Sequence, residues 1–518
     1  MWCRPAPSPC PNFPPERFRA RDGSPRTWVL PWCGIFCQPL RNPPLPSSQP
    51  YARVPRRAVI GWILFDPACQ PFFALITTFI FAPYFASAVA STPAEGQSLW
   101  GFATGAAGLV IAIFSPVLGA VADASGRRKP WIAAFGLMLM TGSALLWFAV
   151  PGDTARIPLV LAAFAIGTIG VEFATVFNNA IMPDLVPPER LGRLSGTGWA
   201  VGYFGGLVAL ALMLCFFSTA PDTGFTLIGR PPAFGLDAAT REGDRFSGPL
   251  TALWFAVLVL PMFLFVPDRR KSVPLGEAVR KGLSEIRGLV PKLRTRPALA
   301  RFLIANMIYA DGLVALFAFG GIFAAGLFGW GSIEMGIFGI LITVTATIGA
   351  LAGGWLDDAF GPRIVILFAL LALLLACVGL LSVAHDSILF GLVPTPPGTG
   401  LYGSLPEKVY VGFGLLIGIV AGPLQSASRT LLVRLAPPEN IGECFGLFAL
   451  SGKITSFAAP TSVAVVTALT GSQRAGVAVL VAFFSVGAVL VAGLRTPLRA
   501  DGGQAKDGPR TANQARRE

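Results

Sequence analysis

The sequence predicts an all-α polytopic membrane protein, with about 12 transmembrane helices in two pseudo-symmetric six-helix bundles. Three observations carry that prediction. The first is composition: the 518 residues are 53% hydrophobic and only 13% charged, about half the charge of a soluble domain. Apolar runs of about 20 residues, enough to cross a bilayer, recur along the chain. The second is an internal repeat. Gly119, Asp123, Gly126 and Arg128 recur 235 positions on as Gly354, Asp358, Gly361 and Arg363. Leu185-Val-Pro-Pro-Glu189 recurs as Leu435-Ala-Pro-Pro-Glu439, and Asp66 has a counterpart at Asp311. The third is the placement of Lys and Arg, which gather in alternate links between apolar runs, as orientation by cytoplasmic charge requires.

Residues 1–56 form a tail rich in Pro, Arg, Ser and Cys with no periodicity. Its apolar stretch, 28–40, is interrupted by Pro31 and Pro39 and is too short and broken to span. Two readings fit: a disordered cytoplasmic tail, or a start site set too far upstream of a natural start near Val54. An N-terminal six-helix bundle follows over 57–266, with spans near 59–85, 99–121, 130–150, 157–182, 194–217 and 250–266. The cytoplasmic link 267–297 carries nine Lys and Arg, from Arg269 to Arg296, and a helix-like stretch at 276–289 suited to lie on anionic headgroups. The C-terminal bundle covers 298–495, with spans near 298–325, 333–356, 364–383, 408–433, 444–469 and 475–494, and a disordered tail ends the chain at 496–518. Arg53, Arg56 and Arg57, the run Arg127-Arg128-Lys129, the basic link and Arg495 all fall on one side when the span count is even. That side is cytoplasmic, with both termini inside.

The net charge of +13 does not mark a nucleic-acid binder, because the basic residues sit in short links and tails rather than on one face. The cysteines form no framework. Cys33 and Cys37 have loose metal-like spacing, but the single histidine, His385, is far away, so no metal site is expected. There is no phosphate-cradling Gly-Lys-Ser/Thr loop and no nucleophile near a histidine, so neither an enzyme, a cofactor nor an ATP-driven pump is expected.

Gly119-Ala-Val-Ala-Asp123-Ala-Ser-Gly126-Arg127-Arg128-Lys129 resembles the loop signature between spans two and three of the major facilitator superfamily. Gly354-Trp-Leu-Asp357-Asp358-Ala-Phe-Gly361-Pro-Arg363 resembles its weaker second copy. Several stretches are similar to the vacuole-effluxer family, named for a fungal autophagy-related amino-acid exporter. They are Trp62-Ile-Leu-Phe-Asp66, Asn178-Asn-Ala-Ile-Met-Pro183-Asp184, Gly198-Trp-Ala-Val-Gly202-Tyr203, Asp311-Gly312, Gly422-Pro-Leu-Gln425-Ser-Ala-Ser428-Arg429 and Phe445 through Lys453 to Phe457. The likeness spans 57–494. The family's Tyr-Asp-Trp-Ala-Asn pattern reads Phe65-Asp66-Pro67-Ala68-Cys69 here. The resemblance implies the major facilitator fold, a monomer in the inner membrane of a bacterium, and amino-acid efflux. It also implies that the loop of Gly119, Asp123, Gly126, Arg127 and Arg128, with Asp358 and Arg363, latches one alternating-access state.

Ionisable residues inside apolar spans are costly and usually face a cavity or a partner. Asp66, Glu172 and Asp311 supply three acids at depth, and Arg429 and Lys453 two bases, with Gln425 beside them. A carboxyl taken out of water resists ionising, which is the chemistry that proton coupling needs. The same charges could instead form fixed pairs that set helix register. Lys453 suits a substrate carboxylate, or equally a pairing with Asp66 or Asp311, while Arg429 suits a tie between span ten and the cytoplasmic link. Gly198, Gly202, Gly205 and Gly206 put small residues on one side of span five, where close helix packing is the first expectation. Trp62, Phe65, Tyr203 and Tyr309 either line the pathway, face lipid or fill interhelical core. The expected activity is secondary transport of a small polar solute with protons as coupling ion. Sugars, drugs or lysolipids are rival substrates, and a non-transporting sensor or scaffold is the rival class.

Overall fold

A computed structural model describes residues 54–124, 127–186, 191–220, 223–268, 276–277, 280, 295–436 and 441–494. Nearly all of it is helix, because in lipid every backbone N–H and C=O must find its partner within the protein. Eleven helices among the described residues are long and apolar enough to cross a membrane. Residues 1–53 of the predicted N-terminal tail, the C-terminal tail and most of the 276–289 stretch lie outside the described residues, and Arg56, expected in the tail, begins the first helix.

The first span is irregular, and its prolines explain why. It runs as α1 (Arg56–Ile63), α2 (Phe65–Pro71), a π-helical stretch (Phe72–Phe79), α3 (Phe81–Tyr84) and a second π-helical stretch (Phe85–Val89). Pro67 has no N–H to give the Ile63 carbonyl, and the α-helix breaks between them at Leu64. Pro71 likewise leaves the Pro67 carbonyl without its donor four residues on. The indole N–H of Trp254 supplies the missing bond, 2.9 Å from that oxygen.

The remaining spans before the link are α4 (Pro93–Ala124), α5 (Lys129–Leu145), α6 (Ile157–Ile181), α7 (Leu191–Phe216) and α8 (Glu242–Phe265). After the link come α9 (Pro297–Phe328), α10 (Ser332–Phe360), α11 (Pro362–Ser382) and α12 (Leu405–Leu435). A small hairpin of β1 (Ser387–Ile388) and β2 (Val393–Pro394) joins α11 to α12. The span expected at 444–469 is broken. It forms α13 (Ile441–Ile454) and α14 (Ala458–Thr470), separated at Thr455, Ser456 and Phe457, and α15 (Gln473–Ala492) closes the fold.

The two halves of the sequence meet along α4 and α14. A Cβ at Gly108 would lie 2.9 Å from the Ser456 carbonyl oxygen, and one at Gly105 would collide with Thr461. Bare α-carbons let these helices touch backbone to backbone. At the end remote from the Arg128 and Arg363 turns, polar bonds reinforce the contact. Gln97 donates to Thr467 Oγ1 at 2.9 Å and to the Gln473 carbonyl at 3.0 Å, and Gln473 donates to the Pro93 carbonyl at 2.9 Å. Arg241 reaches Ser332 Oγ at 3.2 Å. This end is sealed.

At the opposite end each half is tied to itself. Arg128 pairs with Asp184 at 2.7 Å, and its backbone N–H donates to Asp268 at 2.9 Å. Arg363 donates to the Ala492 carbonyl at 2.6 Å, fixing α11 to the end of α15.

Candidate functional site

A cavity of about 450 Å³ opens between the halves, within the range of small-molecule sites. Gln70, Glu172, Trp199 and Tyr203 reach it from one half, and Gln425, Ser426 and Arg429 from the other. Phe79, whose ring packs against Gly339, also lines it, and of its lining residues Trp199, Gln425 and Arg429 are exposed.

Asp66 stands on α2 against the glycine face of α7. A Cβ at Gly198 would come 2.5 Å from Asp66 Oδ2, and one at Gly205 2.5 Å from Pro67 Cβ. The expectation of close packing by these glycines agrees with that contact, and they also make the room in which the carboxylate sits. Asp66 has no ion pair or hydrogen bond among the described residues.

Lys453 pairs with Glu172 rather than with Asp66 or Asp311. Lys453 lies on α13, the part of the broken span nearer the turn end, and it faces α6 across the interface. This ion pair links the two halves beside the cavity. Its side chains keep 35% and 23% of their exposure, so water and solute can reach it.

Asp311 does something the sequence did not suggest. Its Oδ2 accepts the backbone N–H of Ala459 at 2.8 Å. Ala459 is the second residue of α14, so the carboxylate sits on the free N–H groups that a helix start leaves unpaired. The break in the span and the buried acid on α9 explain each other. The hydroxyl of Thr455, in the break, also leans on the Met307 carbonyl of α9 at 3.4 Å.

Most of the link to which Arg429 is expected to tie span ten lies outside the described residues, and Arg429 lies on the cavity wall. It shares one face of α12 with Gly422, Gln425 and Ser426, at helical spacing, and that face lines the cavity. It makes no ion pair among the described residues. Of the aromatics, Tyr203 lines the cavity, while Trp62, Phe65 and Tyr309 are core. Trp62 donates to the Asn178 carbonyl at 2.8 Å, and Tyr309 bonds Ser428 Oγ at 2.7 Å.

The latch residues are only partly described. Arg128 and Arg363 make the bonds given above, and the partner of Arg128, Asp184, entered the sequence reading only as one letter of a motif. Gly119 has open space beside its α-carbon. Gly126 and the side chains of Asp123 and Asp358 lie outside the described residues, and Arg127 is exposed. Gln70 and Trp199 are cavity residues that sequence reasoning passed over. A signal existed for Gln70, a polar side chain one helical turn beyond Asp66 in an apolar run.

Two helical halves around a shared cavity fit a membrane transporter of the major facilitator type. The superfamily's profile matches residues 2–221. The vacuole effluxer Atg22-like profile matches residues 187–497, more than half the chain, and the protein belongs to that family. It is an integral, multi-pass membrane transporter and not an enzyme. Over 438 residues it is 24% identical to "Uncharacterized MFS-type transporter YxiO" of Bacillus subtilis (strain 168), covering 83% of this chain and 93% of that one. Over 300 residues it is 25% identical to Autophagy-related protein 22 of Cryptococcus neoformans var. neoformans, covering 55% of this chain and 47% of that protein. The chain thus spans about half the length of this fungal relative. The inward open structure of the xylose transporter XylE from E. coli superposes with a TM-score of 0.56 at 13% identity, over 86% of this chain and 96% of that one. That likeness is one of fold alone.

Proposed function

We propose that the protein exports a small polar solute, an amino acid before a sugar, drug or lysolipid, by proton-coupled alternating access. The observation that carries this reading is Arg429, a cation on the cavity wall without an ion-pair partner among the described residues. It suits the carboxylate of a solute, while Asp66, equally without an ion pair, supplies the acid that can take up a proton. Glu172 and Lys453 form the pair between halves that solute or proton can compete for. The bodies that rock are residues 57–266 and 298–495, working as a monomer. The turn end faces the cytoplasm of a bacterial cell, with both termini inside, and the conformation described is the inward-facing one. Latching by the 119–128 loop and its counterpart at Asp358 and Arg363 belongs to the same reading. The test is efflux from proteoliposomes loaded with single amino acids, with and without an imposed pH gradient. Flux that ignores the gradient, and that Asp311→Asn and Asp66→Asn leave unchanged, rejects proton coupling. Absence of flux for every amino acid alongside flux of a sugar rejects the substrate class.

A further inference from the structure

The exposed apolar residues of the β1–β2 hairpin have no role in the transport reading, and their position says what covers them. α11, the most apolar of the spans, has 21 residues and is about 31 Å long at 1.5 Å per residue. That matches a hydrocarbon core about 30 Å thick. Its exposed side chains, Ile364, Phe368, Leu371, Leu375 and Val378, recur every three or four positions and form one lipid-facing stripe. The next place on that stripe is Ser382, which is only 5% exposed. The chain has folded back over it: the Phe390 N–H donates to the Ser382 carbonyl at 2.8 Å. The hairpin is therefore held at the end of α11, where a helix long enough to cross the hydrocarbon core reaches its edge, and none of its residues lines the central cavity.

The turn itself is costly. Leu389 and Phe390 hold φ of 55° and 58°, followed by Gly391 at 89°. Bulky residues avoid this region, and a turn in water would favour Asn or Gly at both places. The strained pair, with Leu392 beyond it, presents large apolar groups: Leu389 is 53%, Phe390 65% and Leu392 82% exposed. A run of apolar side chains left open in this way marks an interaction surface.

We propose that this hairpin docks into the boundary between lipid headgroups and acyl chains, and that Leu389, Phe390 and Leu392 anchor the rim of the transporter to that leaflet. The partner is lipid because the hairpin is bonded to the last turn of α11, at the end of that helix's exposed apolar stripe. The bulky turn residues are then accounted for by the apolar burial they gain in the bilayer.

The test places an environment-sensitive fluorophore at Leu392→Cys, in the full chain with its other cysteines replaced, in nanodiscs of one protein copy. Lipids brominated high on their acyl chains serve as quenchers. The same label at Leu375→Cys marks the lipid-facing stripe, and at Ala239→Cys it marks an exposed polar loop on the same side. A label at Val393→Cys guards against a local disturbance at the tip. The hairpin labels should be quenched at least half as strongly as Leu375 and several-fold more than Ala239. Quenching no stronger than at Ala239 from both hairpin sites overturns the proposal. So does energy transfer between labelled hairpins, in larger nanodiscs holding two copies, that accompanies such weak quenching, since the surface would then meet a second chain. None of these outcomes depends on which solute is carried.

Discussion

Asp66 and Asp311 occupy corresponding places in the two repeats, 245 positions apart, yet the protein uses them differently. Asp311 is buried, 4% exposed, and is held by a backbone N–H at the start of α14. Asp66 lies against a wall of glycine α-carbons with no partner of its own among the described residues. Duplication supplied an acid at the same depth in each half. The neighbouring span then set what each acid does. A broken helix beside Asp311 gave it donors, and the small residues of α7 beside Asp66 gave it space. One acid caps a helix start, and the other makes no bond among the described residues.

The comparison breaks first at the glycine wall. Gly205→Val would drive new methyl groups into Pro67, which a Cβ alone already approaches to 2.5 Å. Overpacking of this kind should cost about 3 kcal/mol and is read as a lower midpoint in thermal unfolding of the detergent-solubilised protein. A wild-type midpoint would mean that α2 and α7 stand further apart. Next in size, Asp311→Ala strips the start of α14 of its acceptor and leaves the Ala459 N–H unpaired, at a cost of about 2 kcal/mol. Asp311→Asn keeps an acceptor and should lose less than half as much. Equal losses in the two variants would remove the capping role.

Arg429→Ala should weaken the apparent affinity for an anionic solute about tenfold, or about 1.4 kcal/mol, with the melting midpoint little changed. Ligand-induced stabilisation across a solute library measures it. The smallest effect on stability belongs to Asp66→Asn, within about 0.5 kcal/mol, because no bond among the described residues is lost. Its effect should appear instead in the response of flux to a pH gradient. If Asp66→Asn destabilises as much as Asp311→Ala, the division of labour between the two acids is wrong.

Much of this was readable from residue order. Run length gave the spans, because a bilayer imposes a minimum length on every helix that crosses it. The charges at depth were legible because each stood out in an apolar run. Their partners were not, since Lys453 and Glu172 are 281 residues apart and no local rule joins them. The break in the eleventh span had a local signal, since Pro460 has no N–H to give the Ser456 carbonyl; the acid that stabilises the second helix start was not legible, because it comes from α9.

The sealed end has one more consequence. Its cross-links are carried by amides and hydroxyls: Gln97, Gln473, Thr467 and Ser98 all bond as neutral groups. The one charged participant among the described residues, Arg241, meets a serine across the gap and keeps its counter-ion, Asp244, within its own half. Dissolved ions screen charges and leave dipoles nearly untouched. The closed face should therefore hold equally well in dilute and in briny surroundings, leaving ionic strength to act only at the mouth on the other side.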